Sequence, residues 1–546
     1  MKKKSIGILV MMLFLAAAVI PAVGTMTEKN DQLSLVIYSP TVEWQKTFDR
    51  GEFDHFHMVR QTDDGGYIAV GNTEENDMYY VWLVKLDAVG NEEWMTINYD
   101  LNGSYLTNTE FYIMGFDVQQ TSDEGYIIGG VSMVHLQIDD EYYWLPAGFL
   151  WKTDDTGGTE WLNHYYDVDE SIVYWMYNVI EVEDGYVGTE FDLHYDAVNE
   201  IVTNQNGLIM KTDLTGTLLW AHEFDKGGTD SLSSVAQTSD GGFFLSGFSD
   251  SESFQDGAAW MVKTDGDGNQ QWDKTFDGSG FEYTYGKGCC QTNDGGFIMN
   301  CVSNSYGHGG TDIWMIKTDA SGNLDWDAAY GGGKNDYCWG MCTADSNGYA
   351  LGICTNYGDF SSNKDDILII ETDQNGNTEW KLRLEEEGSQ ITRSICATSD
   401  GGYVATAMTG SFGSSRCDGV IVKIGAFDNQ RPTKPATPSG PARGKPDTAY
   451  TFTTTGASDP DGDQLTYRWD WGDGEFTDGT NEESYTWTSE DKFEVRVMAI
   501  DEHGGESDWS DPLPFSTPRG RILNRMQYLV YRLIDQFPLL RCLLEA

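Results

Sequence analysis

The sequence predicts an all-β protein: a seven-bladed β-propeller, followed by a small β-sandwich and a short C-terminal amphipathic helix. A turn-rich phrase built on Asp-Gly-Gly or a close variant returns seven times along the chain. A second phrase returns six times, and in it a tryptophan lies nine residues after a lysine or, in one copy, a glutamate. After these repeats the density of prolines rises abruptly, which predicts that the propeller ends there.

The first phrase predicts a hairpin in every repeat. Its first copy, residues 59–68, reads Val-Arg-Gln-Thr-Asp-Asp-Gly-Gly-Tyr-Ile. Further copies occupy 118–127, 179–187, 235–244, 289–298, 341–350 and 395–404. Asp-Gly-Gly before an aromatic residue is typical of a tight turn between strands, because glycine adopts the positive φ that such a turn needs.

The second phrase predicts two more strands in each repeat, joined by a turn of the form Thr-Asp-x-x-Gly-Asn. Its copies occupy 83–94, 150–161, 209–220, 261–272, 315–326 and 369–380. The two phrases together give about four antiparallel strands in a repeat of about 52–60 residues. Four-stranded repeats of this length are typical of propeller blades.

The ends of the repeat region predict how the ring closes. The seventh repeat stops near Gly425 without a tryptophan strand, whereas an isolated strand, residues 44–49, precedes the first repeat. We expect the Trp44 strand to complete the last blade, so that the propeller spans residues 41–427. Closure of this kind removes the exposed sheet edges that an open array would leave.

The order of turn and tryptophan in these repeats resembles the kelch and quinoprotein families of propellers. It is most similar to the repeats of exported archaeal and bacterial surface proteins, over some 390 residues. The resemblance implies a fold and an exported, cell-surface setting, and it suggests an archaeal source. It implies no activity, because function resides in the sites that a fold carries.

The N-terminus predicts export. Lys2, Lys3 and Lys4 precede an apolar run over residues 6–20, and small residues follow up to Gly24. This is the pattern of a cleaved signal peptide over residues 1–24. The apolar run is shorter than the roughly 20 residues that a membrane span needs. We therefore predict a secreted, extracellular protein associated with the cell surface.

The C-terminal part predicts a linker and a second domain. Five prolines between Pro432 and Pro446 predict a stiff linker over residues 428–447, and short alternating strands follow over residues 448–517. The Asp-rich segment 458–463, the Trp-Asp-Trp-Gly-Asp-Gly segment 469–474 and Tyr-Thr-Trp at 485–487 resemble a PKD (polycystic kidney disease-type) domain. That resemblance implies an immunoglobulin-like fold and the role of a spacer or interaction module.

Residues 518–546 predict a basic amphipathic tail. Apolar residues recur there every three or four positions, and five arginines against Asp535 and Glu545 give 5 − 2 = +3. A basic amphipathic helix favours a contact with a membrane surface or a sorting partner through residues 519–546. Packing of this helix on the neighbouring sandwich is an equal alternative.

Charge and motif content limit the function. The 34 basic and 87 acidic residues give 34 − 87 = −53, which argues against a nucleic-acid partner because phosphate binding needs clustered cations. The sequence contains no signature of a hydrolase, a zinc peptidase or a phosphate loop, so we assign no catalytic residue and no required cofactor.

Calcium is the one metal that the sequence suggests. Asp459, Asp461 and Asp463 alternate as in a calcium loop, and Asp470 lies where such a loop places its twelfth ligand. Gln464 stands where an EF-hand needs glycine, so the segment is not an EF-hand. A polar turn between strands is the alternative.

Eight of the nine cysteines fall in blades five to seven, which suits either disulfides in an exported protein or buried thiols. If Thr343 lies opposite Tyr349, then Cys338 lies opposite Cys354, and we expect these two to form a disulfide. A bond between Cys396 and Cys417 is a looser expectation. The alternative is that the thiols fill strand positions where other repeats carry Val, Ala or Gly.

Ligand binding is predicted for aromatic residues where the repeats lengthen. The candidates are Tyr142, Tyr143, Trp144, Tyr174, Trp175 and Tyr177. Such rings stack on sugars or anchor a protein partner, although packing between blades is an alternative. We therefore expect a non-catalytic module for binding, adhesion or envelope architecture, with a polysaccharide or surface protein as partner. The rival is an extracellular hydrolase or quinoprotein-type enzyme whose site lies at the central channel.

Overall fold

The computed structural model describes residues 40–50, 53–75, 78–99, 113–138, 141–167, 172–196, 201–250, 257–284, 286–307, 309–344, 347–355, 366–384, 389–410, 417–427, 430–460, 462–502, 505–517, 529 and 532. They form two compact units that separate after Phe427. The predicted signal peptide lies outside the described residues, and of the predicted tail only Leu529 and Arg532 are described, both helical. Within the described part of the chain, no helix is long and apolar enough to cross a membrane.

The first unit begins with strand β1 (Val42–Phe48), which belongs to the last blade. The next four blades are antiparallel sheets of consecutive strands, and a short strand, β10, connects the second to the third. Their strands are β2 (Asp54–Gln61), β3 (Tyr67–Glu75), β4 (Met78–Leu86) and β5 (Glu92–Asn98); β6 (Met114–Gln120), β7 (Tyr126–Ile138), β8 (Glu141–Thr153) and β9 (Thr159–Asp167), then β10 (Ile172–Tyr174); β11 (Asn178–Val182), β12 (Gly185–Asp196), β13 (Ile201–Thr212) and β14 (Leu218–Phe224); and β15 (Thr229–Gln237), β16 (Phe243–Asp250), β17 (Ala258–Thr264) and β18 (Gln270–Phe276).

Blades five to seven repeat the arrangement, except that the inner strand of blade five is split into two short pieces. Their strands are β19 (Glu282–Tyr283), β20 (Cys289–Gln291), β21 (Phe297–Ser303), β22 (Asp312–Thr318) and β23 (Leu324–Tyr330); β24 (Tyr337–Thr343), β25 (Tyr349–Thr355), β26 (Asp366–Thr372) and β27 (Thr378–Leu384); and β28 (Ser389–Ala397), β29 (Tyr403–Gly410) and β30 (Asp418–Ile424). Strand β1 is the fourth strand of blade seven and pairs with β30, Trp44 opposite Lys423. The described strands thus form a seven-bladed propeller closed by the N-terminal strand.

An acidic residue organises the hairpin turn of the first phrase. Asp64 accepts hydrogen bonds from the Gly66 amide at 2.9 Å and the Thr62 hydroxyl at 2.5 Å, and Gly65 has a φ of +82°. Lys85 reaches Asp64 from β4 at 2.8 Å. The same pair recurs as Lys152–Asp123, Lys211–Asp184, Lys263–Asp240, Lys317–Asp294 and Lys423–Asp400.

Blade six departs from this pattern at both positions. Glu371 replaces the lysine, and the sequence has Ser346 where the other repeats have the aspartate. Glu371 is buried, and the Tyr403 hydroxyl of blade seven donates a hydrogen bond to it at 2.6 Å. The two replacements belong together, because a lysine without the aspartate would bury an unpaired charge.

The tryptophan of each outer strand packs on the next blade. Trp94, for example, contacts the Tyr126 ring at 5.7 Å, and a Cβ added to Gly157 would lie 2.5 Å from the Trp94 ring. The seven equivalent ring pairs are Trp44–Tyr67, Trp94–Tyr126, Trp161–Tyr186, Trp220–Phe243, Trp272–Phe297, Trp326–Tyr349 and Trp380–Tyr403. The constant spacing before the tryptophan therefore reflects a contact made at every interface between blades.

A hydrophobic core fills each interface between neighbouring blades, including the one between blade seven and blade one. In that last interface Val404 and Ile421 pack with Phe56 and Val59. The remaining interfaces have equivalent cores. The ring is consequently held by the same kind of apolar contact all the way round.

The second unit is a small β-sandwich with a core of buried aromatic residues. It contains a two-stranded and a four-stranded sheet formed by β31 (Tyr450–Thr453), β32 (Thr466–Asp470), β33 (Phe476–Gly479), β34 (Glu482–Tyr485), β35 (Lys492–Ile500) and β36 (Leu513–Ser516). Trp469, Trp471 and Trp487 are buried in its core, and each indole donates a hydrogen bond.

The segment predicted as a linker is part of this sandwich. The amides of Thr433, Ala436 and Ser439 donate to the carbonyls of Ser458, Thr455 and Thr453, and the Gly444 amide donates to Ser516. Prolines suit this extended segment because they occupy positions where no donor is needed. The predicted boundary at residue 448 is corrected accordingly.

The cysteines correct a second expectation. Thr343 does lie opposite Tyr349, but a bulge at Trp339 shifts the register so that Cys338 lies opposite Ile353 and Cys354 opposite Tyr337. Adjacent rows of a strand point to opposite faces of the sheet, so Cys338 and Cys354 cannot bond. Both thiols are free.

The Cys396–Cys417 pairing is excluded by distance. Cys396 lies five rows along the sheet from Gln390, which shares its row with Asp418, and Cys417 lies one row further on. The two cysteines are therefore roughly 20 Å apart at about 3.3 Å per residue. All eight described cysteines are free, and burial raises the pKa of Cys338 and of Cys417 to about 12. They behave as buried thiols that fill strand positions.

Candidate axial binding site

One position at the inner strand of each blade points its side chain out of the sheet; it lies within the strand in blades one, two, four, six and seven and just before β11 and β20 in blades three and five. It lies two residues before the apolar residue that opens the first phrase, and in blades one, two, six and seven it is the unpaired residue of a β-bulge. Bulges redirect side chains in this way and are frequent beside functional sites. We name these seven residues the axial ring: His57, Phe116, Tyr177, Ser233, Lys287, Trp339 and Arg393.

Contacts between blades that are not neighbours place this ring at the propeller axis. Lys287 of blade five lies 5.6 Å above the ring of Tyr177 in blade three. Its ammonium group is also 2.9 Å from a carboxylate oxygen of Asp117 in blade two. Side chains of such distant blades meet only at the centre of a propeller, so the axial ring surrounds the central channel.

Aromatic rings line one side of this site. His57 contacts Phe116 at 5.1 Å, and Phe116 contacts Tyr177 at 4.8 Å. Trp339 lies on another side and stacks on Tyr337 at 5.7 Å. Faces of this kind bind apolar or ring-shaped ligands.

Asp117 is the carboxylate at the centre of the described site. It is fully buried and accepts from Lys287 at 2.9 Å, from Arg60 at 3.4 Å and from the Val179 amide at 3.0 Å. Burial opposes its ionisation, but Lys287 and Arg60 outweigh that effect and hold the Asp117 pKa below its ordinary value. Asp117 therefore remains charged and fixes the two cations around it.

Arg393 is the least compensated cation of the ring. Its guanidinium lies 5.1 Å from the Trp339 ring, and a terminal nitrogen is 3.7 Å from the sulfur of Met408. Its Nε is buried and has no hydrogen-bond partner among the described residues. No carboxylate in the described part of the chain forms an ion pair with it.

Two neutral histidines lie beside these cations. The Nε2 atoms of His55 and His57 are 2.9 Å apart, so one ring donates to the other. Burial, followed by the charge of Arg393, lowers the pKa of His55 to about 3. Burial lowers the pKa of His57 well below its ordinary value, aided by His55, Arg393 and Lys287. Both rings are thus uncharged hydrogen-bonding groups at neutral pH.

The predicted aromatic residues separate into three groups. Tyr177 is a member of the axial ring. Tyr174 is buried in the core between blades two and three, and half-buried Trp175 stacks on Phe191 at 5.1 Å, so packing accounts for both. Tyr142, Tyr143 and Trp144 lie on β8 opposite Gln137, Leu136 and His135, and their side chains lie outside the described structure.

The long hairpins of blades two and three rise on the side of the axial ring. The inner strand of blade two begins at Met114 opposite Val131, whereas its neighbour β7 continues for seven more residues to Ile138. Those residues extend roughly 23 Å at about 3.3 Å each. The backbone of Tyr142, Tyr143 and Trp144 therefore lies on the hairpin that flanks the channel mouth.

Most of the axial ring was not predicted from the sequence. The repeated phrase begins at Val59 and its equivalents, two residues after the ring position. The ring position therefore lies outside the repeat that predicts the fold. The sequence does mark this position, but by variation. The residue two positions later is apolar in every blade, whereas the ring position itself carries seven different residue types.

Two of the four residues predicted to bind calcium lie together in the structure. Asp459, Asp463 and Asp501 bring one carboxylate oxygen each within 4.8 Å of one another. Asp470 does not join them, because β32 carries it to the far end of the sheet, where it lies opposite Phe476 and accepts from the Gly472 amide at 2.9 Å. Asp461 lies outside the described residues.

Comparison with known proteins identifies the second unit. The family model of the PKD domain matches residues 429–513. A PKD domain of an M14-like peptidase from a Thermoplasmatales archaeon is 31% identical, over 17% of this chain and 99% of that chain, with a TM-score of 0.15. Residues 429–513 are a PKD domain. Because the match begins at residue 429, the segment predicted as a linker belongs to the PKD domain.

The propeller is similar to solved structures in fold only. An ulvan lyase, a polysaccharide lyase, is 9% identical over 67% of this chain and 90% of that chain, with a TM-score of 0.45. Puromycin hydrolase is 11% identical over 77% of this chain and 62% of that chain, with a TM-score of 0.42. Similarities this weak carry no argument about function. No curated protein matches the chain in sequence.

Proposed function

We propose that this protein is an exported, non-catalytic binding protein of the cell surface, and that its ligand binds at the axial ring. One observation carries the proposal: seven equivalent positions meet at the axis and hold seven different residue types. A ring of purely architectural residues would be expected to repeat from blade to blade, as the tryptophan and lysine positions do. Diversity restricted to the axis supports a site adapted to a ligand.

The chemistry of the axis supports binding more than catalysis. Asp117 is the carboxylate that the described axis offers, and cations and amides occupy its oxygens and keep it ionised. A glycosidase needs a second carboxyl group that carries a proton at working pH. The described axis has cations, aromatic rings and two neutral histidines instead, which suit recognition.

The remaining parts of the chain would present this site. PKD domains are typical of extracellular proteins, and here the domain would act as a spacer. The predicted signal peptide would direct export, and the predicted basic tail would attach the protein to a membrane surface or a sorting partner. The partner at the axis would be a polysaccharide or a surface protein, and calcium would bind only in the PKD domain.

The experiment is a binding screen of the full chain against polysaccharides and cell-envelope extracts. Trp339→Ala removes an aromatic face of the axial ring, and Tyr99→Ala, at an exposed tyrosine, is the matched control. We expect saturable binding that Trp339→Ala weakens at least tenfold and Tyr99→Ala leaves unchanged. Cleavage of the bound polymer would favour the enzyme alternative, and self-assembly without any foreign ligand would favour an architectural role.

A further inference from the structure

We infer that the axial site binds an acidic carbohydrate, a sugar ring that carries a carboxylate or a sulfate. The inference rests on the proposed function and names its ligand class. Arg393 and Lys287 would hold the anion, while Phe116, Tyr177 and Trp339 would contact the faces of the sugar.

The charge of the axis is opposite to that of the chain. The full sequence has a net charge of −53, yet at the described axis Lys287 and Arg60 flank the carboxylate of Asp117, and a third cation, Arg393, lies over Trp339. The charges of these four residues sum to 3 − 1 = +2. Partly buried cations in excess of their partners are costly, so their presence at a specialised position points to an anion supplied from outside.

Arg393 identifies the group that would receive this anion. Its buried Nε lacks a hydrogen-bond partner among the described residues, while its guanidinium carbon lies 5.1 Å from the centre of the Trp339 ring. A guanidinium offers a fixed fork of donors that matches the two oxygens of a carboxylate or a sulfate. A bound anion would satisfy the donor that the protein leaves unmet.

The other ring members fit a carbohydrate rather than a bare anion. Phe116 and Tyr177 form a continuous aromatic surface, and Trp339 offers a second one. His57 is neutral, so its ring could exchange a hydrogen bond with a hydroxyl group. Flat faces with neutral hydrogen-bonding groups suit a sugar ring, and the cations suit its acidic substituent.

The test compares acidic polymers with their neutral counterparts on the full chain. Calorimetric titration would use a polyuronate, the same polymer after reduction of its carboxyl groups, a sulfated galactan, its desulfated form, and inorganic sulfate. We expect at least one acidic polymer to bind at least tenfold more tightly than its neutral form, and inorganic sulfate to bind more weakly than either acidic polymer.

Arg393→Gln should remove most of this preference for the acidic form, and Arg393→Lys should retain part of it because the charge stays but the fork is lost. Arg496→Gln, at an exposed ion pair of the PKD domain, is the control. Thermal unfolding of each variant shows whether it is folded, and the lysine variant keeps the test valid if the glutamine variant is not.

The outcomes separate the two proposals. Equal affinity for acidic and neutral polymers, with binding still weakened by Trp339→Ala, would overturn the acidic ligand and keep the axial binding site. If inorganic sulfate binds as tightly as the polymers, the site recognises the anion alone, and the claim that its ligand is a carbohydrate is overturned. If no polymer binds, the acidic carbohydrate is overturned, and the proposed function is then decided by the envelope extracts. If Trp339→Ala leaves all binding unchanged, the proposed function fails as well.

Discussion

The perimeter of the propeller and its axis follow opposite rules. At the perimeter the same contacts return from blade to blade, with a tryptophan on an aromatic ring and a lysine on an aspartate. At the axis the side chain differs in every blade. Repetition therefore marks the residues that build the ring, and divergence at an equivalent position marks the residues that we assign to a ligand.

Removal of the closing strand should have the largest effect on the stability of the propeller. Deletion of residues 40–49 from the full chain removes β1 and leaves β30 with an exposed edge. We expect the propeller to lose its cooperative thermal transition or to associate through that edge. Size-exclusion chromatography and calorimetry measure both effects, and addition of a peptide with residues 40–49 should restore the monomer. A stable, unchanged monomer without the strand would contradict the closed ring.

Two tryptophans of blade six compare the perimeter with the axis directly. Trp380 is buried against Tyr403, whereas Trp339 is half-buried beside Arg393. Trp380→Ala should lower the free energy of unfolding by about 3–5 kcal/mol, since it leaves a large cavity between blades. Trp339→Ala should cost much less stability and weaken ligand binding. Urea unfolding checks the difference, and equal losses in the two variants would undermine the distinction between the regions.

The exception in blade six offers a finer test of the repeated positions. Glu371→Lys should destabilise the propeller by about 1–3 kcal/mol, because the hydrogen bond from Tyr403 is lost and the new cation has no aspartate. Adding Ser346→Asp should recover part of this loss by recreating the pair of the other blades. Chemical denaturation of the single and double variants measures the recovery. If the double variant is no more stable than the single one, the two positions are independent.

How much of this structure the sequence predicts depends on whether a feature is repeated. The Trp44 strand, counted as the missing fourth strand of blade seven, pairs with β30, because the fixed spacing of the phrase reveals which strand is absent. The predicted Cys338–Cys354 disulfide was wrong, because a bulge at Trp339 shifts the register of the two strands and a count of residues does not reveal a bulge. The axial ring was missed because it is the position at which the repeats differ.

The acidic turns give a smaller, pH-dependent effect. Partial burial opposes ionisation of Asp64 and Asp294, but hydrogen bonds from the paired lysine and from a threonine outweigh it and lower the pKa of each to about 2. The pKa of Asp240 is also lowered to about 2, and there the hydrogen bond from Thr238 is the largest cause. A carboxyl group with a lowered pKa stabilises the fold above its unfolded value near 3.8, and this contribution disappears as the pH falls towards 2.

The matching experiment replaces Asp64, Asp240 and Asp294 together with asparagine. The wild type should be more stable than this variant above pH 4, and the difference should shrink steadily between pH 4 and pH 2. Thermal unfolding at half-unit intervals of pH checks it. Because these carboxylates are largely exposed, the difference in melting temperature will be modest. A difference that persists unchanged at pH 2 would show that the charges are not its cause.

The smallest expected effect concerns calcium and the PKD domain. Asp459 and Asp463 lie about forty residues before Asp501 in the chain, and the pairing of β32 with β35, with Thr466 opposite Ile500, brings the two segments together. A local motif therefore could not reveal Asp501, whereas it includes Asp470, which β32 places at the far end of the sheet.

If calcium binds to Asp459, Asp463 and Asp501, millimolar calcium should raise the melting temperature of the PKD domain by a few degrees, since a ligand stabilises the state that binds it. Asp501→Asn should abolish the rise and Asp470→Asn should leave it intact. Loss of the effect in Asp470→Asn alone would instead favour the ligand set of the local motif, and loss in both variants would contradict the prediction that Asp470 takes no part. The absence of any effect in the wild type would leave these carboxylates as a polar turn at the edge of the sandwich.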